Sequence, residues 1–103
     1  MAATLLSIDV CPEGDTVTLF LGGAIDTVSV GSLRACLEEI DSRWRTVAVD
    51  MAGVSFIDSS GIAALIWAHR RLQPDVVLEV RRPTDSVRKI LEIIGVNELF
   101  KID

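Results

Sequence analysis

Tyrosine is absent from this sequence, histidine occurs once (His69) and cysteine twice (Cys11 and Cys36). A zinc site needs about four closely spaced Cys and His ligands, so no metal and no cofactor is expected. No apolar run approaches the ~18 residues of a membrane-spanning helix. Nor does a basic residue precede a long apolar stretch at Met1–Leu6, so neither a membrane contact nor a secretion signal is expected. Basic residues are outnumbered ten to fifteen, for a formal net charge of −5. With an isoelectric point near 4.7, this argues against the broad positive surface on which nucleic-acid binding rests. A cytoplasmic protein is expected, with both thiols reduced. Cys36 falls on an apolar helix face and reads as a small core residue. Cys11 falls near a turn, where a redox role is the lesser alternative.

What remains is a foldable mixture, 50% hydrophobic and 24% charged over 103 residues, and one domain spanning 1–103 is expected. Strands are predicted at 4–10 and 15–21, joined as a hairpin by the turn residues Cys11-Pro12-Glu13-Gly14, with Gly22-Gly23 ending the second strand. Leu33, Cys36, Leu37 and Ile40 stand at i, i+3, i+4 and i+7, which predicts an amphipathic helix over 29–43 with Trp44 near its end. Residues 46–50 read as a central buried strand. Ile62, Leu65, Ile66, His69 and Leu72 mark a second helix running to about Gln73, and 76–80 a further strand. Pro83-Thr84-Asp85-Ser86 opens a third helix that Gly95 caps. Leu99–Ile102 forms a short strand or covers the core. The order β-β-α-β-α-β-α predicts an α/β fold with a mixed four- to five-stranded sheet.

Asp58-Ser59-Ser60-Gly61 stands between an apolar segment and an apolar-periodic helix. All three polar residues are good N-caps, because their oxygens accept from the free N–H groups of a first turn; capping alone would explain them. A serine in a first turn also points its hydroxyl outward, near free donors and the positive end of the helix dipole. Phosphate there would be tolerated by the fold, yet would add nearly two negative charges to the surface beside Asp58.

In this setting Val47–Ile62 (VAVDMAGVSFIDSSGI) closely resembles the signature of bacterial anti-sigma factor antagonists, the STAS domains. Gly23-Ala24-Ile25-Asp26 sits where that family carries Gly-Glu-Leu/Ile-Asp, and Pro83–Ile102 is similar to its closing helix and tail. The resemblance implies that Ser59 accepts phosphate from an anti-sigma factor that is also a serine kinase. The unphosphorylated antagonist holds that partner and frees the sigma factor for transcription; a serine phosphatase resets the cycle. It further implies a partner-facing set of Asp26, Asp58, Ser60, Gly61 and Ile62. Two departures mark a divergent branch: Ala24 replaces the usual glutamate, and Leu72-Gln73-Pro74-Asp75 lacks a glycine often found there. The alternative is a STAS scaffold or ligand-sensing module that is not phosphorylated.

Other chemistries fit less well. A nucleophile elbow needs glycine two residues before its serine, where Ile57 stands, and His69 lies ten residues along the helix, about 15 Å away. Asp26, Asp50 and Asp58 suggest an acidic metal pocket, but a receiver-type site needs paired acids after the first strand, where a hairpin is predicted. Asp50 reads instead as a strand-end residue bonding local N–H groups. Gly22-Gly23 lacks the Lys-Ser/Thr of a phosphate-binding loop. Arg70-Arg71 and Arg81-Arg82 read as solvated faces, with docking of an acidic partner as the alternative.

Overall fold

The computed structural model describes residues 6–103. Its elements are β1 (Ser7–Glu13), β2 (Thr16–Ile25), α1 (Val30–Glu38), β3 (Thr46–Ile57), α2 (Ser59–Leu72), β4 (Val77–Arg81), α3 (Asp85–Ile94), a 3-10 turn (Val96–Glu98) and β5 (Lys101–Ile102). The sheet runs β1-β2-β3-β4-β5. Only the β1–β2 pair is antiparallel; β2–β3, β3–β4 and β4–β5 are parallel. The predicted element order and mixed sheet are therefore those observed, with the terminal segment forming the fifth strand.

Residues paired across the ladder share one face of the sheet. Leu19, Val49 and Val80 form one such row and are fully buried. In the adjacent row, Phe20 is exposed and Arg81 half-exposed. One face is thus packed and the other open at Phe20 and Arg81 but closed over Ala48 and Asp50 of the central β3, as expected when successive right-handed crossovers all step the same way along a sheet.

The expected boundaries shift where turn and pairing chemistry outweigh the hydrophobic pattern. The predicted first strand begins at Thr4 and Leu5, which lie outside the described residues. At its other end β1 continues through Cys11 and Pro12 to Glu13, leaving only Gly14-Asp15 as the turn. Gly14, at φ 61° in the first central position, gives the two-residue turn that suits hairpin twist. Pro12 is accommodated because β1 is an edge strand, and Cys11 is exposed on it rather than in a turn. Gly22-Gly23 does not end β2. The strand runs to Ile25 with register shifts between Phe20 and Gly22 and between Gly23 and Ala24, so these glycines mark bulges. β3 extends correspondingly beyond Asp50, because 51–57 continue to pair with β2 after β4 has ended.

α1 begins one residue later than predicted and stops at Glu38 rather than Arg43. The Asp41 carboxylate accepts from the Arg43 N–H at 3.0 Å, a local turn that competes with helix. Cys36 is half-buried rather than sealed in the core, and Trp44 packs against the core beyond the helix end. Thr84 caps α3 through Val87 N–H, and Gly95 closes it at φ 89°, as expected for a left-handed C-cap.

Candidate functional site

The parallel strands β2 and β3 end side by side, Ile25 opposite Ile57. Each is followed at once by an aspartate and then a helix, so topology alone brings Asp26 and Asp58 to one end of the sheet. The two connections are joined directly, the Asp58 N–H donating to the Ile25 carbonyl at 3.1 Å.

Asp26 organises the first connection. Its Oδ1 accepts from the N–H groups of Val28 and Ser29, both at 3.0 Å. The Asp26 N–H in turn donates to Ser29 Oγ at 3.0 Å, and that hydroxyl donates to the Ala24 carbonyl at 2.7 Å. This reciprocal pattern satisfies groups that would otherwise be orphaned ahead of α1.

Asp58 is the N-cap of α2. Its Oδ1 accepts from the N–H of Ser60 at 2.9 Å and of Gly61 at 3.2 Å, and from the Ser60 hydroxyl at 2.5 Å. The Ser60 hydroxyl is the main reason the Asp58 carboxyl is held below its ordinary value of 3.8. Partial desolvation opposes it, and the N–H groups of Gly61, Ser60 and Thr27 reinforce it. The two adjacent serines therefore differ. Ser60 turns inward and is consumed by the cap. Ser59, the first residue of α2, is exposed, and its hydroxyl makes no hydrogen bond among the described residues.

Gly61 and Ile62, grouped with the partner-facing residues in the sequence, occupy buried positions. A Cβ at Gly61 would lie 2.6 Å from Ile25 Cγ2 and 2.7 Å from Ile57 Cγ1, so the missing side chain is what seats the first turn of α2 on the two strand ends. Ile62 is only 4% exposed and belongs to the core. The apolar stripe of α2 takes Ile62 inward. The surface of the site comes instead from Ser59, the half-exposed Asp26 and Asp58, and two apolar residues not picked out in the sequence. Val28 is 80% exposed beside Asp26, and Phe56, opposite Ala24, is 48% exposed. Val28 had one signal, an apolar residue in a polar loop off the α1 stripe; Phe56 inside an apolar strand had none.

The other candidates lie elsewhere. Asp50 is not a strand-end residue: it sits within β3, 6% exposed, with Oδ1 accepting from the Ala52 N–H at 3.1 Å and Oδ2 paired with Arg82 Nε at 2.9 Å. Among the described residues no group of three or more His, Cys, Asp or Glu could hold a metal ion. His69 packs edge-on against Phe100, ring centroids 5.5 Å apart, with Gln73 2.7 Å from its Nε2. Arg81 and Arg82 are ion-paired with Glu79 and Asp50, and the Arg82 side chain stays 63% exposed beside its buried partner. No described helix is long and apolar enough to cross a membrane.

A family model described as the STAS domain matches residues 7–103. The chain is 25% identical over 92 residues to the anti-sigma-B factor antagonist of Listeria monocytogenes, covering 87% of this chain and 81% of that protein. Among solved structures, an anti-sigma factor antagonist from Mycobacterium paratuberculosis superposes with a TM-score of 0.87 at 17% identity, covering 94% of this chain and 84% of the other. The Bacillus cell fate determinant SpoIIAA in its phosphorylated form gives 0.73 at 21% identity, covering 94% and 91%. These two likenesses establish the shared fold.

Proposed function

The chain belongs to the STAS domain family, and from that premise we propose that it is an anti-sigma factor antagonist switched at Ser59. Unphosphorylated, it binds an anti-sigma factor that carries serine kinase activity and so releases a sigma factor for transcription. Phosphate on Ser59 ends the complex, and a serine phosphatase restores it. Such a cycle runs in the cytoplasm and asks the chain for regulated binding rather than catalysis.

The observation that carries this reading is the division of labour between the two serines. Ser60 and Asp58 cap α2, so modification of Ser59 leaves the cap intact. A phosphoryl group there sits at the positive end of the α2 dipole, which stabilises it locally. It also adds nearly two negative charges beside Asp58 and Asp26. The fold survives while the surface that a partner reads, Asp26, Val28, Phe56 and Asp58, changes its field. The hydroxyl needs no base from this chain, because a kinase partner brings both ATP and the group that takes the proton. Phosphorylation of the SpoIIAA relative and the antagonist role of the Listeria relative support the same reading.

Ala24, where the family motif has glutamate, favours the second reading, a STAS scaffold or ligand-sensing module that binds another regulator without phosphorylation. Capture from lysate of the native host by wild type, Ser59→Ala and Ser59→Asp, with the bound proteins identified by mass spectrometry, separates the two. An ATPase-type regulator held by wild type and Ser59→Ala but lost from Ser59→Asp is the expected result. One partner retained equally by all three would assign the serines to helix capping alone.

A further inference from the structure

Of the two arginine pairs, Arg81-Arg82 is neutralised by ion pairs with Glu79 and Asp50, whereas Arg70-Arg71 lines an open groove. Arg71 donates to the carbonyls of Leu37 and Ile40 at 2.5 and 2.7 Å, at and just beyond the C-terminal end of α1. Its guanidinium lies 5.5 Å from the centroid of the Trp67 ring, and that of Arg34, from α1, lies over the same ring at 4.1 Å. Cation–π contacts thus hold a half-buried indole in place. Arg70 makes no ion pair among the described residues. Arg34 meets only Glu38 at 4.0 Å, with both side chains at least half exposed, a contact of little strength. Ala63, Ile66, Trp67, Arg70 and Arg71 line an open groove of about 700 Å³. With 3.6 residues per turn, Ser59, Ala63, Ile66 and Arg70 fall within roughly 60° of one another around α2. The groove therefore continues the face on which Ser59 stands, to roughly 16 Å along the helix.

We propose that this groove docks an acidic segment of a protein partner that also carries an apolar side chain. Carboxylates of the segment meet Arg70 and Arg34 at the rim, while the apolar side chain packs on Ile66 and Ala63 beside Trp67. On a chain of net charge −5, an acidic segment is repelled by most of the surface and attracted here, so the patch sets register as well as affinity. A nucleic acid fits poorly, because a guanidinium already lies over the Trp67 ring where a base would stack. Only the identity of the protein that supplies the segment rests on the reading of Ser59; the chemistry of the groove does not.

A Trp44→Phe chain keeps Trp67 as its only tryptophan and reports binding at the groove by fluorescence. The probe is a synthetic peptide of about 12 residues alternating Glu and Leu, with a Gln/Leu peptide as its neutral counterpart. The Glu peptide is expected to change Trp67 emission saturably. Its affinity should fall at least about tenfold in Arg34→Glu/Arg70→Glu and in about 500 mM salt, where screening is nearly complete. Ser59→Asp should weaken it less than about twofold. Calorimetric titration of the otherwise unmodified chain gives the same comparison if Trp44→Phe perturbs folding. Equal binding of the Gln peptide, an affinity untouched by charge reversal, or no saturable binding overturns the groove as an acidic docking surface. The Ser59 captures would then stand or fall on their own result.

Discussion

The two ends of α2 hold charge of opposite sign by different means. At the N-terminus a short carboxylate, Asp58, accepts three hydrogen bonds from Ser60 and Gly61, and Gly61 lets the first turn sit on the strand ends. At the C-terminus His69, Arg70 and Arg71 occupy the last turn, and long side chains reach out to α1 and across Trp67. Each arrangement suits the helix dipole, acid at the positive end and base at the negative. The first is stiff, so the placement of one hydroxyl distinguishes Ser59 from Ser60. The second is adaptable and suits graded, salt-sensitive contact. A helix can thus carry an all-or-none signal at one end and a tunable contact at the other.

Gly61→Val should break the stiff end most severely. The added side chain meets Ile25 and Ile57 inside 3 Å, and overpacking of this kind costs about 3 kcal/mol, to be read by denaturant unfolding. Asp58→Ala removes the cap and should lower Tm by about 5 °C. The same carboxyl supplies a pH test. Its folded pKa is depressed below 3.8, so its contribution to stability is fully present above that value and is lost as pH falls through the folded pKa. Asp58→Asn should lack this acid-limb loss in stability measured from about pH 5 to pH 2. The smallest effects sharpen the contrast between the serines. Ser60→Ala should cost about 1 kcal/mol through the lost hydroxyl bond to the cap, whereas Ser59→Ala should stay within about 0.5 kcal/mol. Equal costs in thermal unfolding would remove the distinction on which the switch rests.

The site was partly legible before the fold. Asp58, Ser59 and Ser60 could be read as capping chemistry, but propensity treats adjacent serines alike; the family resemblance singled out Ser59, and the course of the first turn gives the physical difference. Ile62, named with the partner-facing set, stands on the 3.6-residue period that also marks Leu65 and Leu72 and is buried with them. The bond from Asp50 to a local N–H was legible, but its ion pair with Arg82 and the reach of Arg71 to α1 were not. Asp50 and Arg82 stand 32 residues apart, and Arg71 reaches a carbonyl 34 residues away, separations at which no periodicity speaks.

By itself the sequence determined what local spacing controls: the helix stripes, the caps at Asp58, Thr84 and Gly95, the order of elements and the motif that marks the family. Tertiary structure decided what depends on which segments meet. The β2–β3 pairing carried both strands past their glycines to Ile25 and Ile57, bringing Asp26 to Asp58. Packing of α1 beside α2 set one arginine pair along a groove, while carboxylates of β3 and β4 paired with the other. Caps and stripes are encoded within a few residues of one another, whereas a strand register or an ion pair forms only after a long loop has closed, so its partners are set by packing.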